Sequence, residues 1–387
     1  MRDRYRIVHK LGHGAFSTVW LARNRERASY VALKVSTANS PSEESDILRG
    51  VSRVSGVAYS AGRDMVPLTY DDFDIPSPNG SHKCYVTSPA RCSVAAAKFA
   101  SLFSIEAARA LAGQLVLAVA YIHAQGVFHG DIHLRNVLLQ LPSSLNRLSI
   151  KELYTQFGMP HTEPVMRLDT KPLSPGVPPY GTVPIWLGKK AKDLTPHEAH
   201  LILSDFGGAF SPSNLQQIRL GEQCQSPLPA LPPEAHHQPD KPISFSTDIW
   251  TLACALWEIF SVRALFDATL ATRDDIAAQQ VDVLGSLPSE WWGSWQARGE
   301  YSDEDGRPID GRFVFPPLEE TFETDVQAAR RKSNMGGFSA EEKETSLGML
   351  RPMLVFRPDE RATAADTLGS QWMRDWGLPS VEKMGNA

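Results

Sequence analysis

The stretch His129-Gly130-Asp131-Ile132-His133-Leu134-Arg135-Asn136 closely follows a long apolar segment, residues 105–123. It places an aspartate, Asp131, five residues before an asparagine, Asn136. A carboxylate in such a loop can take the proton of a hydroxyl group, and an amide oxygen a turn later can hold a metal ion on nucleotide phosphates. The preceding segment has apolar residues on most faces, which predicts a largely buried helix. The stretch therefore indicates phosphoryl transfer from a loop that a buried helix supports.

The composition of the chain is ordinary for a globular protein. Its 387 residues suffice for a sizeable core, and its formal net charge of -5 gives no reason to expect a nucleic acid or an anionic membrane as partner. Two apolar runs, residues 111–122 and 249–262, are too short or too interrupted for the ~20 residues that span a bilayer, so we interpret them as buried core helices. The N-terminal residues lack the apolar segment of a signal peptide.

The cysteines favour a reducing compartment. Cys84, Cys92, Cys224 and Cys254 form no CxxC pair and have no zinc-site spacing. We therefore expect an intracellular monomer in the cytoplasm, the nucleus or both.

The order of predicted elements indicates an α+β fold with two lobes. Strand-like segments are residues 5–11, 17–22, 30–35, 66–70 and 83–87. Beyond Ser88 the pattern is mainly helical. We place a small β-rich N-lobe at residues 1–87 and a larger helical C-lobe at residues 88–387. The C-lobe contains a spacer at about residues 141–200, in which a capping box at Ser149 starts a short helix and residues 159–188 form a proline-rich loop.

Two motifs in the first lobe fit phosphate binding. Residues 12–19 read Gly-His-Gly-Ala-Phe-Ser-Thr-Val, and glycines let backbone amides approach phosphates closely. Residues 31–34 read Val-Ala-Leu-Lys, and a lysine on an apolar strand is costly unless it is paired. Glu44 is its natural partner, on a helix that the start signals at residues 40–43 predict. Taken alone, these motifs could be an ordinary hairpin turn and a solvated lysine.

Further motifs follow in a fixed order. Asp205-Phe206-Gly207 comes directly after a short predicted strand, where a carboxylate is a good Mg²⁺ ligand. The segment Pro232-Pro233-Glu234, then Asp248 on a buried helix, and then Arg361, placed to pair with Glu234, complete the series. Each motif by itself is weak evidence, but together and in this order they are not a chance occurrence.

This ordered set identifies the chain as a member of the eukaryotic protein kinase family over about residues 5–376. Within the family it resembles the SR-protein kinases and their relatives in the CMGC group. The closer resemblance rests on residues 10–22, residues 203–207 and the Leu-Gly-x-Leu-Pro sequence in residues 281–288. The Leu-Gly-x-Leu-Pro sequence belongs to an insert of the CMGC group, and we place this insert at about residues 270–335.

The resemblance implies an ATP- and Mg²⁺-dependent serine/threonine protein kinase, with Arg-Ser-rich proteins as possible substrates. In this family Asp131 would take the substrate proton, Asn136 and Asp205 would hold Mg²⁺, and Lys34, fixed by Glu44, would hold the α- and β-phosphates. The residues implied to contact the nucleotide are Leu11, Gly12, Gly14, Ser17, Val19, Ala32, Lys34, Thr87 and Leu138.

The catalytic loop departs from the family pattern. Gly130 replaces the arginine that, in the family, binds a phosphate on the activation segment. We therefore hypothesise that this kinase is active without that phosphate. His133 replaces the lysine that steadies the γ-phosphate, and a neutral histidine supplies a donor without a full charge. We count both His133 and Arg135 as catalytic candidates. Arg135 either substitutes for the lysine, as an arginine at this spacing does in tyrosine kinases, or is a solvated surface residue.

Two other functions remain open from the sequence. Gly130 and His133 would also suit a pseudokinase that acts as a scaffold. The pattern His-Gly-Asp-x-His-x-x-Asn also resembles aminoglycoside-type phosphotransferases, which lack the Pro-Pro-Glu segment and the Arg361 partner. We interpret the acidic residues 274–275 and 303–305 as solvated faces or, alternatively, as a dock for basic substrates.

Overall fold

The computed structural model describes residues 4–38, 40, 44–53, 60–99, 101–212 and 218–385. Residues 41–43, which carry most of the predicted helix-start signals, lie outside this part. The strands are β1 (Tyr5–His13), β2 (Ser17–Asn24), β3 (Ser29–Ser36), β4 (Asp71–Ser77), β5 (Gly80–Thr87), β6 (Ala90–Ser93), β7 (Val137–Gln140), β8 (Thr162–Pro164), β9 (Tyr180–Thr182) and β10 (Leu201–Leu203).

The α-helices lie mostly after β6. They are α1 (Glu44–Arg53), α2 (Val94–Lys98), α3 (Ile105–Ala124), α4 (Ile150–Phe157), α5 (Pro233–His237), α6 (Phe245–Phe260), α7 (Arg273–Leu284), α8 (Ser289–Ser294), α9 (Leu318–Thr321), α10 (Ala329–Ser333), α11 (Ala340–Met353), α12 (Ala364–Leu368) and α13 (Leu378–Gly385). A π-helical segment, Phe322–Ala328, joins α9 to α10, and a second one, Met373–Gly377, precedes α13.

The chain forms two compact units. The first comprises residues 1–49, 67–92 and 140–188, and the second comprises residues 50–66, 93–139 and 189–387. The first is built on a β-sheet and the second is mainly helical, so the predicted α+β fold class is confirmed. The sequence predicted the whole spacer in the second lobe, whereas residues 140–188 belong to the first unit.

The first unit is a five-stranded antiparallel sheet in the order β1-β2-β3-β5-β4. Alternate residues of a strand point to opposite faces, so β3 sends Val31 and Leu33 to one face and Ala32 and Lys34 to the other. Val31 and Leu33 pack with Val86 of β5 in a buried apolar cluster. The predicted strand at residues 66–70 is wrong, because the strand begins at Asp71; Pro67 in that segment has no N–H to donate to a sheet.

The spacer joins the first unit through an apolar contact that the sequence pattern did not reveal. Leu145, Leu153 and Leu187 of the spacer are buried in one cluster with Leu21 of β2 and Tyr30 of β3. Burial of large apolar side chains stabilises by about 1.5–3 kcal/mol each, which accounts for the grouping of the spacer with this sheet. Helix α4 starts at the predicted Ser149 capping box. In the proline-rich part, β8 and β9 form a short antiparallel ribbon where only a loop was expected.

Polar contacts reinforce this association. The backbone N–H of Tyr30 donates to Asn146 Oδ1 at 2.7 Å, and the backbone N–H of Ile185 donates to the carbonyl of Lys10 at 2.8 Å. The His9 ring lies 2.8 Å from the carbonyl oxygen of Gly158. The spacer is therefore fixed along β1 by hydrogen bonds as well as by apolar packing.

The second unit is organised around α3 and α6. Most residues of both helices are buried, as their apolar composition predicts. Helix α3 is long and apolar enough to cross a membrane, but 89% of the relevant window is buried inside the protein. It therefore serves as a core helix here.

The insert region also belongs to the second unit. Trp291 of α8 and Trp295 are buried against Ala277 and Ala278 of α7, so α8 packs on α7 through an aromatic contact. Asp274 accepts hydrogen bonds from the Trp295 indole at 2.6 Å and lies 3.1 Å from the His236 ring. Asp274 is thus engaged within the fold, whereas residues 303–305 are exposed.

Candidate active site

The first unit holds a lysine–glutamate pair on its sheet. Lys34 Nζ lies 2.7 Å from Glu44 Oε2, and the Tyr85 hydroxyl donates to Glu44 Oε1 at 2.9 Å. Strand β3 places Lys34, and the first turn of α1 places Glu44. Both charged side chains are mostly buried, so the attraction is stronger than that of an exposed pair. The predicted partners are therefore together, and Tyr85 is an additional partner that the sequence motifs did not suggest.

The other residues of this unit that we expect to contact the nucleotide lie on the same β-sheet or in the turn between β1 and β2. Gly12 pairs with Val19 across β1 and β2, and Val19 pairs with Lys34 across β2 and β3. Ala32 pairs with Thr87 at the end of β5. The remaining ones are Leu11 in β1, Gly14 in the following turn and Ser17 at the start of β2. Hydrogen-bonded register thus places these residues on four adjoining strands, β1, β2, β3 and β5.

Two local features of this group suit a nucleotide. Cβ atoms built at Gly12 and Gly14 would meet nothing within 4 Å, so the backbone there is open to approach. Thr87 Oγ1 is buried and has no hydrogen-bond partner among the described residues. Buried hydroxyl groups are normally hydrogen-bonded, so an unpaired one is compatible with a polar ligand.

The second unit carries Asp131 and Asn136 in one hydrogen-bonded arrangement. Asn136 Nδ2 donates to the backbone carbonyl of Asp131 at 3.0 Å and to its carboxylate Oδ2 at 2.9 Å. Both amide hydrogens are thereby used, which leaves Asn136 Oδ1 as an acceptor suited to a metal ion. Asp131 Oδ1 is buried without a well-directed hydrogen bond among the described residues.

His133 and Arg135 differ in their surroundings. His133 Nε2 lies 3.3 Å from Asp131 Oδ1, and His133 Nδ1 accepts from the backbone N–H of Arg135 at 3.2 Å. The Arg135 side chain is exposed, with no hydrogen bond or ion pair of its side chain in the described part of the chain. The structure therefore brings His133 to the carboxylate of Asp131 and leaves Arg135 at the surface.

Gly130 occupies a position that suits glycine alone. Its φ is +81°, and a Cβ atom there would lie 2.7 Å from the Phe128 ring and 3.2 Å from the carbonyl oxygen of Gly208. Positive φ disfavours residues with a Cβ, and the close contacts add to this cost. The replacement of arginine by glycine is thus matched to the backbone of this loop.

Asp248 of α6 fixes the backbone of the loop from beneath. Its carboxylate accepts from the N–H of His129 at 2.7 Å and from the N–H of Gly130 at 2.9 Å. It also lies 2.9 Å from the His123 ring at the end of α3. Asp248 is fully buried, and hydrogen bonds to a charged group contribute about 1.5–3 kcal/mol each. The sequence placed Asp248 on a buried helix but did not indicate its contacts with the loop or with His123.

Asp205 is placed by the strand pair β7–β10. Leu138 pairs with Ile202 in this pair, and the Ser204 backbone N–H and hydroxyl both donate to the carbonyl of Asn136 at 2.8 Å. Asp205 follows directly with a φ of +65°. The end of β10 is thereby tied to Asn136, as the predicted metal site requires.

The His129 and Phe206 rings stack edge to face with centroids 4.8 Å apart. Burial lowers the pKa of His129, although Asp248 and Asp131 oppose the shift. His129 Nε2 lies 3.1 Å from the carbonyl of Ser204, while its Nδ1 accepts from the N–H of Asp131 at 3.3 Å. A neutral ring with its proton on Nε2 satisfies both contacts.

The donor set fits a magnesium ion that is shared with phosphates. The described residues contain no group of three or more His, Cys, Asp or Glu side chains suited to hold a metal alone. Magnesium commonly binds through one or two carboxylates together with substrate phosphates and water. Asp205 and Asn136 provide one carboxylate and one amide oxygen, which meets that requirement.

Glu258 is an acidic residue near the loop that the sequence analysis missed. Burial raises the pKa of its carboxyl group, and the charges of Lys98 and Arg135 partly offset the shift. Burial likewise lowers the pKa of Lys98, which Glu258 opposes. Glu258 lies three turns along α6 from Asp248, a helical spacing that could have drawn attention to it.

The segment after the Asp-Phe-Gly motif is anchored at several points. Phe210 exchanges both backbone hydrogen bonds with Phe128, and Ile243 donates its N–H to the carbonyl of Arg219 at 2.9 Å. The Phe128 and Phe210 rings pack edge to face with Ile243 in a buried cluster. Residues 213–217 of this segment lie outside the described part.

The predicted pair of Glu234 and Arg361 is formed. Arg361 Nη1 donates to Glu234 Oε1 at 2.8 Å, and Arg361 Nη2 lies 2.5 Å from Glu234 Oε2. The Thr247 hydroxyl donates to the same Glu234 Oε1 at 3.0 Å. Both charged side chains are buried, and this bidentate geometry suits such a pair.

Comparison with known proteins gives a consistent result. Residues 5–151 match the protein kinase domain family. A serine/threonine protein kinase of Aspergillus fumigatus is 26% identical over 389 residues, covering 96% of this chain and 85% of that protein. Protein kinase dsk1 of Schizosaccharomyces pombe is 24% identical, covering 98% and 82%, and the serine/threonine-protein kinase SRPK of Physarum polycephalum is 24% identical, covering 97% and 87%.

A solved structure supports the fold. The crystal structure of a kinase domain superposes with a TM-score of 0.62 at 17% identity, covering 96% of each chain. Protein kinases use ATP, typically with Mg²⁺, and act on proteins. Residues 5–151 are therefore a protein kinase domain, and the chain is similar over nearly its whole length to serine/threonine kinases, among them the kinase SRPK.

Proposed function

We propose that this kinase transfers the γ-phosphate of ATP, with Mg²⁺, to serine hydroxyls in Arg-Ser-rich proteins. The observation that carries the proposal is the arrangement of Asp131. One carboxylate oxygen is held by Asn136 at 2.9 Å, and the other is buried without a well-directed hydrogen bond among the described residues. A carboxylate held in this way is suited to accept the proton of an incoming hydroxyl group.

The residues for the nucleotide have separate tasks in this proposal. Lys34, fixed by Glu44, holds the α- and β-phosphates, while Asn136 and Asp205 hold the metal. The metal ion neutralises charge that develops on the phosphates. The preserved pair of Lys34 and Glu44, at 2.7 Å, argues against a scaffold that has lost catalysis.

The choice of substrate rests on relatives and on charge. One matching relative is named SRSF protein kinase 3, from Mus musculus, and is 31% identical over 145 residues, which is 35% of this chain. The net charge of -5 and the exposed acidic residues 303–305 favour a basic protein substrate. The buried Glu234–Arg361 pair belongs to the protein kinase pattern and separates the chain from small-molecule phosphotransferases.

A transfer assay tests this function. The purified full chain is incubated with labelled ATP and Mg²⁺, and is offered an Arg-Ser repeat peptide, a Gln-Ser repeat peptide, a general basic protein and an aminoglycoside panel. We expect labelling of the Arg-Ser peptide, weaker labelling of the Gln-Ser peptide and none with an Asp131→Ala variant. Labelling of an aminoglycoside alone, or equal labelling by wild type and variant, would contradict the proposal.

We further propose an intracellular monomer, in the cytoplasm, the nucleus or both. Cys84, Cys92, Cys224 and Cys254 form no disulfide with one another, which suits a reducing compartment. Cell fractionation tests the location, and light scattering of the purified chain tests the oligomeric state. A chain found outside the cell, or a dimer at micromolar concentration, would contradict this proposal.

A further inference from the structure

One tautomer of the neutral His133 ring is compatible with both of its polar neighbours. Its Nδ1 accepts from the backbone N–H of Arg135 at 3.2 Å, and its Nε2 lies 3.3 Å from Asp131 Oδ1. A backbone N–H can only donate, so Nδ1 carries no proton and the ring proton of the imidazole lies on Nε2. The N–H of the neutral ring is therefore the group that faces Asp131.

The two oxygens of Asp131 have different partners. Asn136 Nδ2 donates to Oδ2 at 2.9 Å, whereas the contact of His133 with Oδ1 is close but not well directed. Catalytic hydrogen bonds are often long in free enzymes and tighten in the reacting complex. Oδ1 thus keeps an acceptor position for a substrate hydroxyl, while the nearby Nε2–H limits rotation of the carboxylate.

We propose that His133 is a positioning residue for Asp131, and that it does not supply charge to the γ-phosphate. This inference rests on the proposed function, since it concerns the same transfer reaction. A neutral imidazole has a single N–H, and here it faces Asp131. With that N–H within 3.3 Å of Asp131 Oδ1, the ring has no second donor for a phosphate oxygen, which distinguishes His133 from the lysine usual at this position.

The reaction that His133 would support is a balanced transfer. The substrate O–H bond breaks and its proton passes to Asp131, while the hydroxyl oxygen bonds to the γ-phosphorus. The bond from the γ-phosphorus to the bridging oxygen breaks, and ADP leaves with that electron pair. His133 keeps its proton throughout and only fixes the carboxylate that receives the substrate proton.

Two variants test the roles of the two ring nitrogen atoms separately. The amide of Gln reaches the position of Nε2, so H133Q keeps a donor for Asp131. The amide of Asn reaches only the position of Nδ1, so H133N keeps an acceptor for the Arg135 N–H and loses that donor. A third variant, H133K, introduces the cation usual in the family. Steady-state kinetics of the full chain with ATP, Mg²⁺ and the Arg-Ser peptide give kcat and KM for each.

We expect H133N to lower kcat about 100-fold, which is the lower end of the contribution that a general base makes to the rate. The kcat of H133Q should be at least about tenfold higher than that of H133N. The KM for ATP should change less than about threefold in both, because a group that acts through Asp131 does not bind the nucleotide. Equal kcat values for H133Q and H133N would overturn the inference. So would a rise in KM for ATP at unchanged kcat, or a kcat of H133K above that of H133Q.

A double-mutant cycle distinguishes an effect of His133 on Asp131 from misfolding of the variants. In the background of Asp131→Asn, H133N and H133L should each lower kcat by less than about threefold further, since the residue through which His133 acts is already altered. Thermal unfolding of every variant reports on folding, and additive losses in the cycle would overturn the inference. No transfer by wild type to any substrate would overturn the proposed function and this inference together, whereas transfer by wild type with the contrary variant pattern would overturn this inference alone.

Discussion

The catalytic loop at residues 129–136 and helix α6 beneath it depart from the kinase pattern to very different degrees. The loop has changed at Gly130 and His133, while α6 keeps Asp248 with both hydrogen bonds to the loop backbone. Next to α6, Glu234 and Arg361 keep their buried pair. The side chains of the loop can change because Asp248 of α6 holds the loop backbone. A buried charge that loses its partner, in contrast, has no solvent to take the place of that partner.

The largest effect is expected from breaking the buried ion pair. Arg361→Ala leaves the Glu234 carboxylate buried without its partner and should lower the free energy of unfolding by about 3–5 kcal/mol. Urea unfolding of the purified chain measures this value. Arg331→Ala is the matched control, because Arg331 pairs with Glu323 at the exposed surface and should change stability by less than about 1 kcal/mol. Equal losses in both variants would mean that burial does not strengthen the Glu234–Arg361 pair.

The next effect concerns the backbone of the loop. Gly130→Ala should destabilise by about 2–4 kcal/mol, because it adds backbone strain at positive φ to a contact with the Phe128 ring. Gly126→Ala is the control, since Gly126 also has positive φ but its Cβ would meet nothing within 4 Å. Thermal unfolding compares the two. If Gly126→Ala costs as much as Gly130→Ala, packing around Gly130 is not the reason for a glycine there.

A smaller effect is expected from the exposed arginine of the loop. Arg135→Ala should lower kcat by about tenfold with little change in ATP affinity, if its charge meets the γ-phosphate in the transition state. Steady-state kinetics and equilibrium ATP binding together separate the two quantities. Arg135→Lys keeps the charge and should recover part of the rate. A kcat of Arg135→Ala equal to that of wild type would show that Arg135 is a solvated surface residue.

A smaller effect still is expected from one hydrogen bond of the scaffold. Thr247→Val removes the hydroxyl that donates to Glu234 and keeps the shape of the side chain. Arg361 still pairs with Glu234, so the expected loss is about 1 kcal/mol in urea unfolding. A loss as large as that of Arg361→Ala would mean that the hydroxyl matters to Glu234 as much as the guanidinium does.

No effect is expected from removing phosphate groups. Without the arginine that Gly130 replaces, a phosphate on the activation segment lacks its usual receiver in the loop, and backbone pairs such as Phe128–Phe210 already anchor part of this segment. Phosphatase treatment should leave kcat within about twofold of the untreated value. Loss of activity that rephosphorylation within residues 205–234 restores would refute the hypothesis.

Much of the site was predictable because its residues occur in a fixed order along the chain. The pairs Lys34–Glu44 and Glu234–Arg361 were expected from motifs and are formed. Tyr85, His123 and Glu258 were not expected, since each reaches the site through packing between elements that are distant in sequence. The roles proposed for the site residues in binding and catalysis stay predictions.

The spacer shows the same limit for the fold. Its composition indicated an inserted loop and a capped helix, and α4 does begin after Ser149. Which unit the spacer joins depends on Leu153 and Leu187 meeting Leu21 on the sheet, and apolar contacts between distant segments have no sequence signature of their own.

The sequence by itself determined the α+β fold class and the resemblance to protein kinases, and it predicted the candidate residues for the chemistry, because these depend on residue types in a fixed order and on local periodicity. The tertiary structure alone decided which atoms of those residues meet. It brought Nε2 of His133 to 3.3 Å from Asp131 Oδ1, used both amide hydrogens of Asn136 on Asp131, and gave Gly130 a backbone that only glycine accepts without strain. Such arrangements depend on distances of a few ångströms between groups in a folded chain, and those distances follow from packing rather than from residue order.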